Sequence, residues 1–360
     1  MERLGNLTEE EYIPYSQRPE TYIVPVVFAI IFIVGVLGNG TLVFIFARHK
    51  RMRNIPNTYI FSLALGDLLV IVSCVPFTSI LYTLESWPWG GLICKLSEAT
   101  KDVSIGVSVF TLTALSAERY CAIVNPIRRH ISTKPLTIVT ALAIWMVSLI
   151  LALPAAIFSN VQSALVQDNR TIEYCSPFPK EFGKDYEKGV VMIKFLVYYA
   201  FPIWAIASFY ILMARHLLLS TRTLPREHCK SQTNKIQARK KVARMVLAFV
   251  MIFIICFLPY HIFMLWFHFY SYSYDAYDAY WHAFRIVGFC LSYMNSCINP
   301  IALYYVSETY YKHFNRYLIC CLRSKSQYND VNLVHVSSSS DRRQNSFITS
   351  HYSLSHAGKS

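Results

Sequence analysis

The chain has 360 residues, of which 54% are hydrophobic, 15% aromatic and only 15% charged, with a formal net charge of +13. A mean hydropathy of +0.34 excludes the soluble multi-domain protein that this length would otherwise suggest and points to a membrane protein. The positive charge does not indicate nucleic acid, because it falls in alternate connections between apolar segments rather than on one patch.

Crossing a bilayer core takes about 20 apolar residues, and seven segments qualify: 21–46, 58–82, 92–124, 136–158, 189–219, 242–269 and 279–305. The expected fold is an all-α seven-helix membrane bundle over residues 21–306. A tail, 1–20, precedes it. A short amphipathic membrane-surface helix, 307–322, and a disordered tail, 323–360, follow it. Arg48, Lys50, Arg51 and Arg53 follow span one; Arg128, Arg129 and Lys134 follow span three; Arg222, Arg226, Lys230, Lys235, Arg239, Lys240, Lys241 and Arg244 follow span five. By the positive-inside rule the N-terminus is then extracellular and the C-terminus cytoplasmic, as expected of a multi-pass plasma-membrane protein. The glycosylation acceptors Asn6 and Asn169 fall on the expected outer face, whereas Asn39-Gly40-Thr41 matches the pattern inside span one, where no glycan could sit. Residues 1–20 lack the apolar core of a cleavable signal, so span one is expected to direct insertion.

In chain order, span one carries Gly35, Gly38 and Gly40 around Asn39, small residues that permit close helix approach. Span two places Asp67 at about mid-membrane depth, where a carboxylate needs a hydrogen-bonding partner or a cation. Span three opens below Cys94 with Glu98, Lys101 and Asp102, which share one helical face. These charges must line a watered cavity or pair among themselves. Span three ends at Glu118-Arg119-Tyr120, where an apolar run meets ionisable groups at the membrane edge. Cys94 and Cys175 fall at the oxidising face and are expected to form a disulfide tying the fourth connection, about 159–188, to span three. Spans five and six carry Pro202 and Pro259, which permit kinks. Lys194, His261, His268 and Arg285 complete a polar pocket with the span-three charges, and Asn295, Ser296 and Asn299 are expected to face Asp67. Beyond span seven, Tyr310, Phe314, Tyr317, Leu318 and Cys321 recur at helical spacing against Lys312 and Arg316. Cys320 and Cys321 suit S-palmitoylation, and the serine-rich tail suits phosphorylation.

Gly38-Asn39, LALGD ending at Asp67, Cys94, Glu118-Arg119-Tyr120, Trp145, Pro202, Phe253 with Pro259, and Asn299-Pro300 occur in that order on seven spans. Over residues 22–322 this set resembles the rhodopsin-like (class A) G-protein-coupled receptors. SIGVSVFTLTALSAERYCAIVNP and NSCINPIALYY resemble the bombesin-receptor group within it, and YIPYSQRPETYIVP, RNIPNTYI and ICFLPYHIFMLWF are most similar to insect receptors for CCHamide neuropeptides. The resemblance implies a receptor for an extracellular amidated peptide that activates a heterotrimeric G protein of the phospholipase-C-linked class. Arrestin and receptor kinases would read the tail, and membrane lipid would surround the bundle. Glu118 would hold Arg119 at rest, Ile127 would insert into the G protein, and Tyr210 would reach Arg119 in the active state. Asp67, Ser108, Asn295 and Asn299 would form an allosteric sodium site.

Three residues depart from the family pattern: Phe257 stands where tryptophan is usual, Leu303 replaces the NPxxY tyrosine with Tyr304 beside it, and Arg239 is basic where an acid would restrain Arg119. A transporter is disfavoured because matching broken repeats are absent from the sequence. A photosensor would need a lysine in span seven, and an amine receptor an aspartate where Lys101 stands. No metal-ligand spacing, nucleophile constellation or phosphate loop suggests an enzyme.

Overall fold

The computed structural model describes residues 17–80, 83–84, 86–124, 134–166, 170–223 and 230–319, with side chains at 165, 166, 170, 217–223, 230–240 and 319 left aside. Asn6, Asn169, Ile127, Cys320, Cys321, Arg128, Arg129, the Arg239 side chain and the serine-rich tail therefore lie outside the description.

Among the described residues, seven helices are long and apolar enough to cross a membrane. Span one is α1 (Glu20–Arg48) and span two is α2 (Ile55–Ser73), capped by the Asn54 side chain accepting from Asn57 N. Span two is not one continuous helix as expected: it breaks at Cys74 and resumes as α3 (Val75–Ser79). Pro76 is the cause, since it has no N–H to donate and its ring crowds the carbonyl one turn earlier. Span three is α4 (Gly90–Val124) and span four is α5 (Lys134–Phe158).

The fourth connection holds an antiparallel hairpin that the sequence pattern did not announce, β1 (Asn160–Val166) paired with β2 (Arg170–Ser176). Cys175 opposite Val161 bonds Cys94 with a Cα–Cα distance of 5.5 Å, so the hairpin is fastened to the start of span three as expected. Trp87 N donates to Glu173 O at 2.8 Å, and Glu173 N donates to Ser86 Oγ at 2.9 Å, which adds the second connection to the same lid.

Span five starts at Gly183 rather than 189. It runs as α6 (Gly183–Phe195), a π-helical turn over Leu196–Ala200, and α7 (Phe201–Thr223). Pro202 cannot donate to the Tyr198 carbonyl, and the widened turn lies where that bond is missing. Span six is α8 (Lys230–Phe269), with its membrane-competent part at Lys241–Phe269, and span seven is α9 (Ala279–Val306), capped by Asp278 accepting from Trp281 N. Trp281 stacks on Trp266 at 3.7 Å and joins the hairpin ends of spans six and seven.

The chain from Thr309 onward groups apart from the rest, and 309–319 is its described part. That part continues the short helix α10 (Glu308–Phe314) into a π-helical turn at Asn315–Ile319, with Arg316 over the Tyr317 ring at 5.9 Å.

The bundle core is closed partly by backbone contact. A Cβ at Gly288 would lie 2.9 Å from Tyr260 N and 3.1 Å from the Pro259 carbonyl carbon, so span seven crosses span six against bare backbone. Gly288→Ala is expected to destabilise by about 1–3 kcal/mol, the usual penalty of overpacking, read as a lower thermal midpoint of the detergent-solubilised protein. Gly40→Ala, whose added methyl meets nothing within 4 Å, should leave that midpoint unchanged or higher.

Candidate functional site

Three polar groups are spaced along spans three, two and seven. The first lies toward the hairpin. Lys101 pairs with Glu98 on its own helix, as the spacing allows, with side chains 27% and 13% exposed. Asp102 does not join that pair: Lys194 Nζ on span five donates to its Oδ1 at 2.9 Å. Oδ2 is also 2.8 Å from the same Nζ, so both carboxylate oxygens face the one ammonium group. The four charges thus resolve into two pairs, one local and one joining two helices. Isolated charges in such surroundings would be very costly, and pairing is what allows them there.

His261 is buried and packs its ring 4.7 Å from Tyr199 and 5.6 Å from Phe195, so it belongs to an aromatic cluster beside the pairs. His268 reaches Glu187 at 3.6 Å. Arg285 stands apart from the two ion pairs, exposed, with its guanidinium carbon 5.9 Å over the Tyr277 ring. The single polar pocket expected from sequence is therefore subdivided, because each cation found a closer partner than a common cavity.

The second group surrounds Asp67. Asn299 Nδ2 donates to Asp67 Oδ2 at 2.9 Å, and Asn39 Nδ2 donates to Ser296 O at 2.8 Å, so spans one, two and seven are laced together as expected. Asp67 Oδ1 and Ser108 Oγ are buried without hydrogen-bond partners. Ser108, Asn295 and Ser296 line one cavity with Lys101 and Phe257, which brings these mid-membrane polar residues and one member of the Glu98–Lys101 pair to the same space. The Phe257 ring is in turn tilted against that of Phe253, with centroids 4.6 Å apart. Leu303, in the position usual for tyrosine, is buried, and Tyr304 meets Tyr305 edge-on at 5.3 Å.

The third group closes the opposite end. Arg119 Nε donates to Glu118 Oε2 at 2.7 Å, and Nη2 donates to the same oxygen, with both side chains about nine-tenths buried. Tyr120 packs 5.7 Å from Phe209. Tyr210 Oη donates to Ala243 O at 2.8 Å, which holds span five to span six.

Residues 38–304 match the family described as 7 transmembrane receptor (rhodopsin family). The chain belongs to that family. The receptor is 53% identical over 319 residues to the Neuropeptide CCHamide-1 receptor of Drosophila melanogaster, covering 87% of this chain and 63% of that protein. It is 38% identical over 301 residues to the [Phe13]-bombesin receptor of Bombina orientalis, covering 83% of this chain and 76% of that one. It is thus a multi-pass membrane receptor and not an enzyme, and it spans just under two thirds of the Drosophila protein it resembles.

Sequence reasoning missed Tyr198, which is 4% exposed with an unpartnered hydroxyl, and the 3.1 Å contact between Glu20 and His282 that ties span one to span seven. An aromatic within an apolar run carries no signal that its hydroxyl is buried, and no spacing rule links residues 20 and 282.

Removing one member of the inter-helix pair should expose its value. Lys194→Met leaves Asp102 buried and alone, and is expected to destabilise the receptor by about 3–5 kcal/mol. The double variant Asp102→Asn, Lys194→Met should recover most of that loss. Thermal unfolding of the four forms checks this, and additive losses would contradict it.

Proposed function

We propose that the receptor binds an extracellular amidated neuropeptide of the CCHamide or bombesin-like kind and activates a heterotrimeric G protein, of the phospholipase-C-linked class. The observation that carries the reading is its similarity to two peptide receptors across more than four fifths of the chain, and the two opposite-sign pairs below the hairpin agree with it. A peptide offers termini and side chains of both signs, and it can exchange with Glu98, Lys101, Asp102 and Lys194 without leaving a charge unmatched. Arg285 and His261 supply a rim cation and an aromatic wall. The N-terminus would then be extracellular and the C-terminus cytoplasmic in the plasma membrane, with Asn6 and Asn169 glycosylated outside and Cys320 and Cys321 palmitoylated inside. On this reading the amphipathic helix rests on lipid, and phosphorylated serines of the tail recruit arrestin after receptor kinases act.

Activation is a shift between two arrangements that the peptide favours unequally. Arg119, released from Glu118, meets the G protein together with Ile127, and Tyr210 exchanges the Ala243 carbonyl for Arg119. Phe253, Phe257 and Pro259 repack as span six moves, and Asn299-Pro300 is the corresponding element of span seven. Asp67, Ser108, Asn295 and Asn299 would hold an allosteric sodium ion. The unpartnered oxygens of Asp67 and Ser108 fit a hard cation, which takes oxygen ligands. The ion would supply positive charge that stabilises Asp67 in its ionised form.

Cells expressing the full chain should mobilise calcium on addition of a synthetic amidated CCHamide peptide, and a Gq inhibitor should abolish the response. Silence toward amidated peptides would refute the ligand class, and a response that survives the inhibitor would refute the G-protein class. Glu98→Ala and Arg285→Ala should each raise the peptide concentration needed for half response at equal surface expression. Because Arg239 offers no acidic restraint, ligand-free output should exceed that of mock-transfected cells, and Glu118→Gln should raise it further.

A further inference from the structure

Spans four and five leave a cavity of about 100 Å³ between them near the hairpin end of the bundle. Its walls are apolar, built by Leu151 and Pro154 on one side and Val190, Ile193 and Val197 on the other. Its polar lining is Asp102 from span three, Lys194 and Tyr198 from span five, and Tyr186. Tyr198 is 4% exposed and its Oη has no hydrogen-bond partner, and Asp102 Oδ2, 2.8 Å from Lys194 Nζ, has lone-pair capacity left for a further donor. Native interiors rarely leave a buried hydroxyl unsatisfied, and a cavity lined by this one and by a carboxylate able to accept again offers a place for a small polar head.

The mouth opens on the outside of the bundle. Ile193 is 59% exposed and continues along span five into Phe201 and Trp204, 60% and 72% exposed, and Pro154 on span four is exposed as well. In a membrane receptor that apolar stripe faces lipid, so the cavity is reached sideways from the bilayer. The occupant must therefore be dissolved in the membrane and mostly apolar, with a small polar head. Charge decides which head. Asp102 and Lys194 already neutralise each other, so a carboxylate or ammonium group would be buried without a counter-ion. A hydroxyl can donate to Asp102 Oδ2 and accept from Tyr198 Oη at no such penalty.

We infer that the groove between spans four and five is a lateral binding site for a neutral, single-headed amphiphile whose hydroxyl is received by Tyr198 and Asp102. The head touches the Asp102–Lys194 pair, and occupancy therefore favours the arrangement in which spans three and five are joined. The inference requires the membrane setting of the family but not the proposed peptide, and its test contains no peptide.

The test uses the purified full-length receptor in phosphatidylcholine nanodiscs and two photoreactive probes with the same long alkyl tail, one ending in a hydroxyl and the other in a carboxylate. The alcohol should label residues 151–154 and 190–198, located by mass spectrometry, and the carboxylate should label them far less. Tyr198→Phe, which keeps the shape, should reduce labelling by the alcohol roughly fivefold, the worth of one hydrogen bond. Ile193→Trp, at the exposed rim, should block the mouth and abolish labelling; if Tyr198→Phe folds poorly, this variant decides alone. Equal labelling by the two probes, labelling spread over all spans, or labelling that survives Ile193→Trp would overturn the site.

Discussion

Lys194 and Asp102 meet at 2.9 Å between two helices, in a region where neither charge could stand alone. A point attraction of this kind does what apolar packing within a bilayer does poorly. Lipid tails compete with leucine and isoleucine for helix surfaces, so apolar contact gives little direction, whereas a buried pair fixes one residue of one span against one residue of another. Span three occupies the centre of that arrangement. It carries Cys94 bonded to the hairpin, Asp102 bonded to span five, Ser108 on a cavity shared with Asn295 of span seven, and Arg119 at the far end. Asp102 and Arg119 are 17 residues apart on α4, about 26 Å along one helix. A displacement of this helix at one polar group is thus felt at the other.

The remaining spans are less regular, and their irregularities have local causes. Pro76 interrupts span two, Pro202 follows a widened turn in span five, and Pro259 sits where Gly288 lets span seven press on bare backbone. Each removes a backbone hydrogen bond that lipid could not replace, and neighbouring groups close over the break. Cys74 Sγ, at the span-two break, lies 2.8 Å from Thr100 Oγ1 on span three. Breaks of this kind allow two nearly equal packings, which a receptor needs if a ligand is to choose between them.

Much of this was legible from residues alone. Period and hydropathy marked seven spans because a bilayer demands about 20 apolar residues per crossing, and most ends fell within a turn of their expected places. The Cys94–Cys175 bond and the contact between Asp67 and Asn299 were also readable, since an oxidising face and a mid-membrane carboxylate each leave few partners. The hairpin was not, because residues 160–176 carry no clean alternation and their pairing is held by a disulfide and by Ser86 and Trp87 from another connection.

Charge partners mark the boundary between the two kinds of knowledge. Along one helix, spacing determined that Glu98 and Lys101 could pair, and that Glu118 could hold Arg119, because residues on one helix have fixed relative positions. Across helices it determined only that Asp102 and Lys194 each needed something. Which partner each received, and that Tyr198 received none, depended on how far each span slides and turns against its neighbours. That was decided by Gly288 against Pro259, Asn39 against Ser296, and Trp145 Nε1 bonded to Ser62. These are contacts between residues up to 257 positions apart, and no period along the chain encodes them.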